Sequence, residues 1–150
     1  MSLTAYFDVS YLAKLYWRET GSAEVSQLSR SFHMLACCRH GRLEFASVGY
    51  RKVREKIADA ALAREVFQQL CDDTEAGGIL WMDPDSKVMK RAESFYLQAR
   101  EGHFLRASDA LHLACAAFHG FREIYSNDRH LLAAAPLFGL RGIDVIPATS

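Results

Sequence analysis

The sequence predicts a three-layer α/β/α sandwich on a mainly parallel five-stranded sheet, and three observations predict it. Five short apolar runs are each bounded by turn residues or acids. The longer stretches between them carry apolar residues at every third or fourth position, the period of a helix with one buried face. Half of the 150 residues are hydrophobic and 24% are charged, a balance that fits one globular domain over residues 1–150 with one sizeable core. Strands separated by helices require right-handed crossovers, hence parallel pairing with helices on both faces.

The first strand is expected over Leu3–Phe7, ending at Asp8, with Ser10 opening an amphipathic helix that turns Leu12, Leu15 and Tyr16 to one side. Gly21-Ser22 breaks it before a second helix from about Ala23, and Met34–Cys38 reads as the second strand. Leu43, Ala46, Tyr50, Val53 and Ile57 then recur at helical spacing. A further helix points Leu62, Val66 and Leu70 inward and stops by Gly77-Gly78. Ile79–Met82 is the third strand. Asp83 and Asp85 are the turn and cap residues of a helix carrying Val88, Ala92, Phe95 and Ala99 that ends at Gly102. Ser108 suits the N-cap of a helix over Asp109–Phe118, because its hydroxyl can accept a first-turn N–H. Gly120 ends that helix, Glu123–Ser126 is the fourth strand, and Asn127-Asp128 starts a helix limited by Pro136. Ile143–Ile146 is the fifth strand, and Trp81 and Phe95 are expected in the core.

Composition excludes several classes of function. Eighteen Lys and Arg balance eighteen Asp and Glu, so bulk charge gives no reason to expect a protein that coats nucleic acid. The charge is segregated, however. Residues 30–56 hold seven basic and two acidic side chains, and residues 59–85 hold one basic against seven acidic, which can make a local basic face. High hydrophobicity at zero net charge opposes disorder. No apolar run approaches the ~20 residues of a membrane span. The first residues, MSLTAYFDVSYL, lack a basic leader and are not expected to form a signal peptide. Cys37, Cys38, Cys71 and Cys115 have no C-x-x-C spacing and suggest neither a zinc site nor a disulfide framework. The expectation is a soluble, reduced, cytoplasmic protein. No H-x-x-x-H, G-x-x-x-x-G-K-[ST], G-x-G-x-x-G or G-x-S-x-G motif occurs, which leaves zinc-hydrolase, P-loop, dinucleotide and serine-hydrolase readings without support. His33, His40, His103 and His119 fall near loops or element ends. His112, three residues after Asp109, is expected to be structural.

Four isolated acids remain. Asp8 is the only acid in the first eighteen residues, and Glu44 the only one between Val25 and Val53. Asp109 stands alone between Gly102 and Arg122, and Asp128 between Ile124 and Ile143. Each falls where a strand ends or a helix begins, and each taken singly reads as a cap or a first-turn residue that complements a helix dipole. Taken together they read differently. Ligands collect beyond the carboxyl ends of parallel strands. Carboxylates gathered there repel one another, which raises pKa values or recruits a cation. An oxygen-only set suits Mg²⁺ or Mn²⁺, and a pair of such ions suits phosphodiester cleavage.

Four segments carry a family resemblance: YFDVSYLAKLY from Tyr6 to Tyr16, LEFA from Leu43 to Ala46, RASDALHLACA from Arg106 to Ala116, and YSNDRHL from Tyr125 to Leu131. In this order, across almost the whole chain, they resemble PIN-domain nucleases, most of all the VapC-type toxins of toxin–antitoxin pairs. The resemblance implies a PIN-like parallel sheet between helices and RNA cleavage with one or two Mg²⁺ or Mn²⁺ ions. It assigns the catalytic, metal-holding cluster to Asp8, Glu44, Asp109 and Asp128. It gives Ser10 and Ser126 supporting places, and makes Arg106 and the Arg39–Arg42 stretch candidates to meet the RNA backbone. Val9, Cys38 and Gly41 depart from the commoner residues of the family. The resemblance also implies a homodimer, silenced by an antitoxin that wraps a groove and pushes a basic side chain toward the acids. Phe32, Leu62, Val66 and Phe67 are the apolar residues expected to serve such contacts. The reading that follows is a metal-dependent endoribonuclease toxin without membrane association. A non-catalytic interaction module, a structure-specific DNA nuclease and an RNA-processing factor remain as alternatives.

Overall fold

Side chains alternate across a strand, so a strand covered by helices on both faces needs apolar residues at consecutive positions. The strands of this chain meet that requirement. The computed structural model describes residues 3–98 and 101–148. Its elements run β1 (Thr4–Phe7), α1 (Val9–Tyr16), α2 (Ser22–Ser29), β2 (Met34–Cys38), α3 (His40–Arg54), α4 (Ala60–Glu75) and β3 (Ile79–Met82). They continue with α5 (Ser86–Leu97), α6 (Ala107–Phe118), β4 (Glu123–Tyr125), α7 (Arg129–Ala134), a 3₁₀ turn (Ala135–Phe138) and β5 (Arg141–Ile143). All pairings among the described residues are parallel, in the order β3-β2-β1-β4-β5. The architecture is the expected α/β/α sandwich.

The core has two halves, one on each face of the sheet. Tyr6, Ala36, Cys38, Met82 and Ile124 face α5, α6, α7 and the 3₁₀ turn, where they share a core with Phe95, Leu113 and Phe138. Ala5, Phe7, Leu35, Cys37 and Trp81 face the other way, onto Leu12, Val25, Phe45 and Leu70 from α1 to α4. Consecutive strand residues therefore serve opposite cores. The chain leaves β1 toward β2 and β3 on one side and later returns to place β4 on the other. The switch point of the sheet lies between β1 and β4, where Asp8 N–H donates to the Tyr125 carbonyl at 3.1 Å.

Several elements differ from expectation. Helix α1 begins at Val9, because the Asp8 carboxylate accepts the Tyr11 N–H and caps it. Helix α6 begins at Ala107 with Arg106 in the cap position, so Ser108 lies inside its first turn. The Ser108 hydroxyl donates instead to Glu44 Oε2 at 2.7 Å. β4 ends at Tyr125, one residue short of Ser126. β5 covers 141–143 rather than 143–146. Gly139, at φ 75°, turns the chain early, and Arg141 N–H joins the Arg122 carbonyl. After Ile143 the chain leaves the sheet, because Asp144 accepts hydrogen bonds from Tyr11 Oη (2.6 Å) and Asn127 Nδ2 (2.8 Å).

The inward stripe of α3 is also not the one read from its apolar spacing. Gly41, Phe45, Gly49 and Lys52 are buried, while Leu43 and Tyr50 are 75% and 66% exposed. A Cβ on Gly41 would come within 2.7 Å of Cys37 Sγ. The missing side chain lets the first turn of α3 lie directly on β2. On α4, Leu70 is fully buried and Val66 half-buried, whereas Leu62 is exposed. Val88, Ala92 and Phe95 are buried on α5 as expected, and Ala99 lies outside the described residues. No described helix is long and apolar enough to cross a membrane.

Candidate active site

A cavity of about 630 Å³ opens beyond the carboxyl ends of β1 and β4. Asp8, Glu44, Asp109 and Asp128 all line it, with Ser10, Lys14, Arg51, Arg106, Ser108 and His112. The fold thus brings the four isolated acids to one place from β1, α3, α6 and the start of α7. A cavity of similar size, about 660 Å³, lies at the amino ends of the strands among Thr4, Phe32, Glu123 and Arg141 and holds no such gathering of acids.

Asp8 is buried and held at both oxygens. Ser10 Oγ donates to Oδ1 and Ser126 Oγ to Oδ2, each at 2.6 Å, while Tyr11 N–H also reaches Oδ1. The two serines are fixed in turn, since Ser10 Oγ accepts Asn127 N–H and Ser126 Oγ accepts Asp128 N–H, both at 2.9 Å. Burial raises the pKa of Asp8, against the lowering influence of His112 and these hydrogen bonds. Asp128 caps α7, with Oδ1 accepting the His130 and Leu131 N–H groups. Capping and lining the cavity are therefore one arrangement, because a cap placed at a strand end aims its carboxylate into the same space.

Asp109 lies in the first turn of α6. Burial and then the neighbouring Asp128 push its pKa up to about 6, with Asp8 and Glu44 adding to the rise and His112 opposing it. Glu44 differs from the other three acids. Its Oε1 meets His112 Nε2 at 2.6 Å and His40 Nε2 at 3.6 Å, and its Oε2 accepts from Ser108. Burial alone would raise the Glu44 pKa, but His112, Ser108 and His40 outweigh it and hold the carboxyl below the usual range.

His112 is 1% exposed. Its Nδ1 contacts Tyr6 Oη at 2.6 Å, and Tyr6 Oη also accepts Cys38 N–H at 2.9 Å. Sequence reasoning missed this grouping of His40, Glu44 and His112, whose ligand atoms lie within 4.8 Å of one another. The i, i+4 spacing of His40 and Glu44 was available as a signal. The third member arrives from α6, 68 residues after Glu44.

Of the cations expected to meet the RNA backbone, Arg106 stands at the cavity, exposed beside Ser108 and Asp109. The Arg39–Arg42 stretch does not. Arg39 pairs with Asp83 at 2.5 Å, and the Arg42 guanidinium sits over the Phe67 and Trp81 rings while bonding Cys71 Sγ. Arg51, on α3, joins the cavity lining instead. Lys14 and the buried Lys52 both bond Glu19, at 3.1 and 2.9 Å, bracing one wall of the cavity.

Four carboxylates lining one cavity are the donor chemistry that a hard divalent cation takes. Among the described residues, however, the group of three possible ligand atoms lying within 4.8 Å of one another is His40, Glu44 and His112, so the acids would have to draw together around an ion.

No protein-family model matches the chain, and no curated protein matches it in sequence. The fold, however, is that of PIN-domain VapC toxins. The sarcin–ricin-loop-cleaving toxin VapC20 of Mycobacterium tuberculosis superposes with a TM-score of 0.67 over 87% of this chain and 94% of its own, at 14% identity. A VapBC-5 structure from the same organism gives 0.65 at 14% identity, over 95% of this chain and 99% of its own. VapBC2 of Rickettsia felis, bound to a DNA fragment from its promoter, gives 0.66 at 9% identity, over 94% and 98%.

The raised Asp109 pKa makes a prediction for the metal-free protein. The folded state holds that proton more tightly than the unfolded chain does. The resulting stabilisation is fully present below the ordinary carboxylate range and is lost as pH rises through about 6. In EDTA at pH 8, Asp109→Asn is therefore more stable than the native protein by on the order of 1–2 kcal/mol, allowing for partial exposure to solvent, and the gap closes toward pH ~4. Urea titrations across this range measure it, and a variant less stable than native at pH 8 contradicts the electrostatic account.

Proposed function

We propose that this chain is a metal-dependent endoribonuclease, acting as a single nuclease domain over residues 1–150 and as the toxin of a toxin–antitoxin pair in the cytoplasm. The observation that carries the reading is the convergence of Asp8, Glu44, Asp109 and Asp128 on one cavity at the switch point of the sheet. The fold shared with VapC toxins supports the nuclease class. The sarcin–ricin-loop cleavage named for VapC20 favours RNA over DNA as the substrate.

The four carboxylates would hold one or two Mg²⁺ or Mn²⁺ ions. When bound, such ions supply the positive charge that activates a water and stabilises the leaving oxygen of a phosphodiester. Ser10 and Ser126 hold both Asp8 oxygens in fixed directions, so this one carboxylate is already oriented. Asp109, with a pKa pushed up to about 6, gives up any remaining proton at neutral pH. Arg51 and Arg106 place positive charge at the cavity, where it attracts the RNA backbone. His112 and Ser108 orient Glu44, and no histidine is assigned as the nucleophile's base.

The partner reading rests on the opposite side of α3. Between α1, α3 and α4 runs an apolar groove of about 400 Å³, lined by Trp17, Phe45, Tyr50, Val53, Val66 and Phe67. Ile57 and Leu62 are exposed nearby, on the loop after α3 and on α4, whereas the exposed Leu43 lines the acidic cavity instead. Phe32 is half-buried against Tyr125, so Leu62, Val66 and Phe67 are the stronger candidates for contact. The neighbours solved as VapBC structures support an antitoxin as one partner, and a second copy of this chain is proposed as the other.

Purified protein is expected to cut RNA with Mg²⁺ or Mn²⁺ and to stop in EDTA. Asp8→Asn and Asp109→Asn each lower the rate by ~10²-fold or more, as loss of several kcal/mol of transition-state stabilisation requires, while circular dichroism stays native. Cleavage that persists in EDTA, or that tolerates both substitutions, contradicts the reading, and cleavage of DNA alone replaces the substrate class. Light scattering tests the pairing, and a 16.9 kDa monomer at micromolar concentration removes it.

A further inference from the structure

The four-carboxylate cavity offers hard oxygen ligands, but one wall of it does not. His40 and Glu44 sit one turn apart on α3, and His112 reaches them from α6. The two imidazoles are tilted by 39° with centroids 4.2 Å apart; His112 Nε2 lies 2.6 Å from Glu44 Oε1, and His40 Nε2, which bonds the Ser108 carbonyl, lies 3.6 Å from the same oxygen. Two ligands on a tetrahedral zinc stand ~3.3 Å apart when its bonds are ~2.0–2.1 Å. The observed separations bracket that value, so small side-chain shifts admit an ion.

We propose that His40, Glu44 and His112 form a second metal site, selective for zinc-class ions, that shares Glu44 with the four-carboxylate cavity. Imidazole nitrogens favour Zn²⁺, Co²⁺ and Ni²⁺ over Mg²⁺, which prefers oxygen. Two histidines and one carboxylate also match the three-ligand pattern of open zinc centres.

Two of the three side chains, His112 and Glu44, are held from behind as metal ligands are. Metal-ligating imidazoles are oriented through their other ring nitrogen, and His112 Nδ1 has Tyr6 Oη at 2.6 Å. With Nε2 on a metal, the His112 proton sits on Nδ1 and is donated to Tyr6 Oη. That oxygen keeps its bond from Cys38 N–H, and its own hydroxyl hydrogen turns to the neighbouring Cys37 sulphur. Ser108 Oγ holds Glu44 Oε2, leaving Oε1 facing the two rings. His40 Nδ1 is buried without a hydrogen bond of normal geometry, with the Cys38 sulphur as its polar neighbour. His40 Nε2 spends its capacity on the Ser108 carbonyl at 3.0 Å, a weaker partner than a divalent cation. The ion enters from the cavity, which both Glu44 and His112 line.

One consequence rests on the nuclease reading. An ion at this site draws Glu44 away from the other carboxylates, so zinc suppresses Mg²⁺-supported cleavage. Binding itself does not rest on that reading and is measured without activity. Titration of the metal-free protein with Zn²⁺ is expected to show one tight site. With Co²⁺ as the probe, it is expected to show visible d–d bands without thiolate charge transfer. His40→Ala, at a half-buried position, weakens Zn²⁺ binding by at least about 100-fold, the upper end of what loss of an outer-sphere partner costs. Asp109→Asn and Cys38→Ser leave it intact. The proposal is overturned if no zinc binds, if His40→Ala binds as native does, or if Asp109→Asn or Cys38→Ser abolishes binding. If RNA cleavage is observed, zinc inhibits the native protein and not His40→Ala. Binding without inhibition keeps the site and removes its link to the nuclease.

Discussion

Like-charge repulsion among carboxylates at one end of a parallel sheet is the constraint around which the rest of this molecule is arranged. Asp8, Glu44, Asp109 and Asp128 line the same cavity, and each is offset by a different device. Asp8 receives two serine hydroxyls and a backbone N–H, and Asp128 receives two backbone N–H groups at the start of α7. Glu44 receives two histidines and Ser108. Asp109 retains the repulsion as a raised pKa. A carboxylate left with its charge poorly offset beside three others is the natural place for a cation to deliver its stabilisation.

The fold places these groups through backbone geometry more than through side-chain reach. The switch point between β1 and β4 forces neighbouring connections apart and leaves a crevice. Asp8 and Asp128 enter it because they cap the helices that follow those strands. Gly41 brings α3 onto β2, and Glu44 follows one turn later on the helix. The same packing turns Leu43 outward beside the acidic cavity and Tyr50 outward into the apolar groove proposed for a partner.

Much of this was legible in the sequence, for identifiable reasons. Asp8 and Asp128 follow short runs that read as strands because turn residues or acids bound them, and Ser126 lies beside the second of them. Tertiary packing decided the rest. Gly41 and Gly49 carry no hydrophobic signal, so the stripe of α3 that faces the sheet was hidden behind its exposed apolar residues. Arg141 and Gly142 do not resemble a strand, and β5 needs only one paired edge. Arg42 looked like a substrate contact until Phe67 and Trp81 enclosed it. The His40–Glu44–His112 grouping depends on α6 crossing α3, which no local spacing encodes.

Crystals of the protein soaked in Mn²⁺, with data collected at the manganese absorption edge, test the central claim most directly. The account predicts an anomalous peak inside the cavity bounded by Asp8, Asp109 and Asp128, within bonding distance of at least two of their carboxylates. A cavity without a peak at saturating Mn²⁺, with the four acids neutralised by protons or by neighbouring cationic side chains, would contradict it.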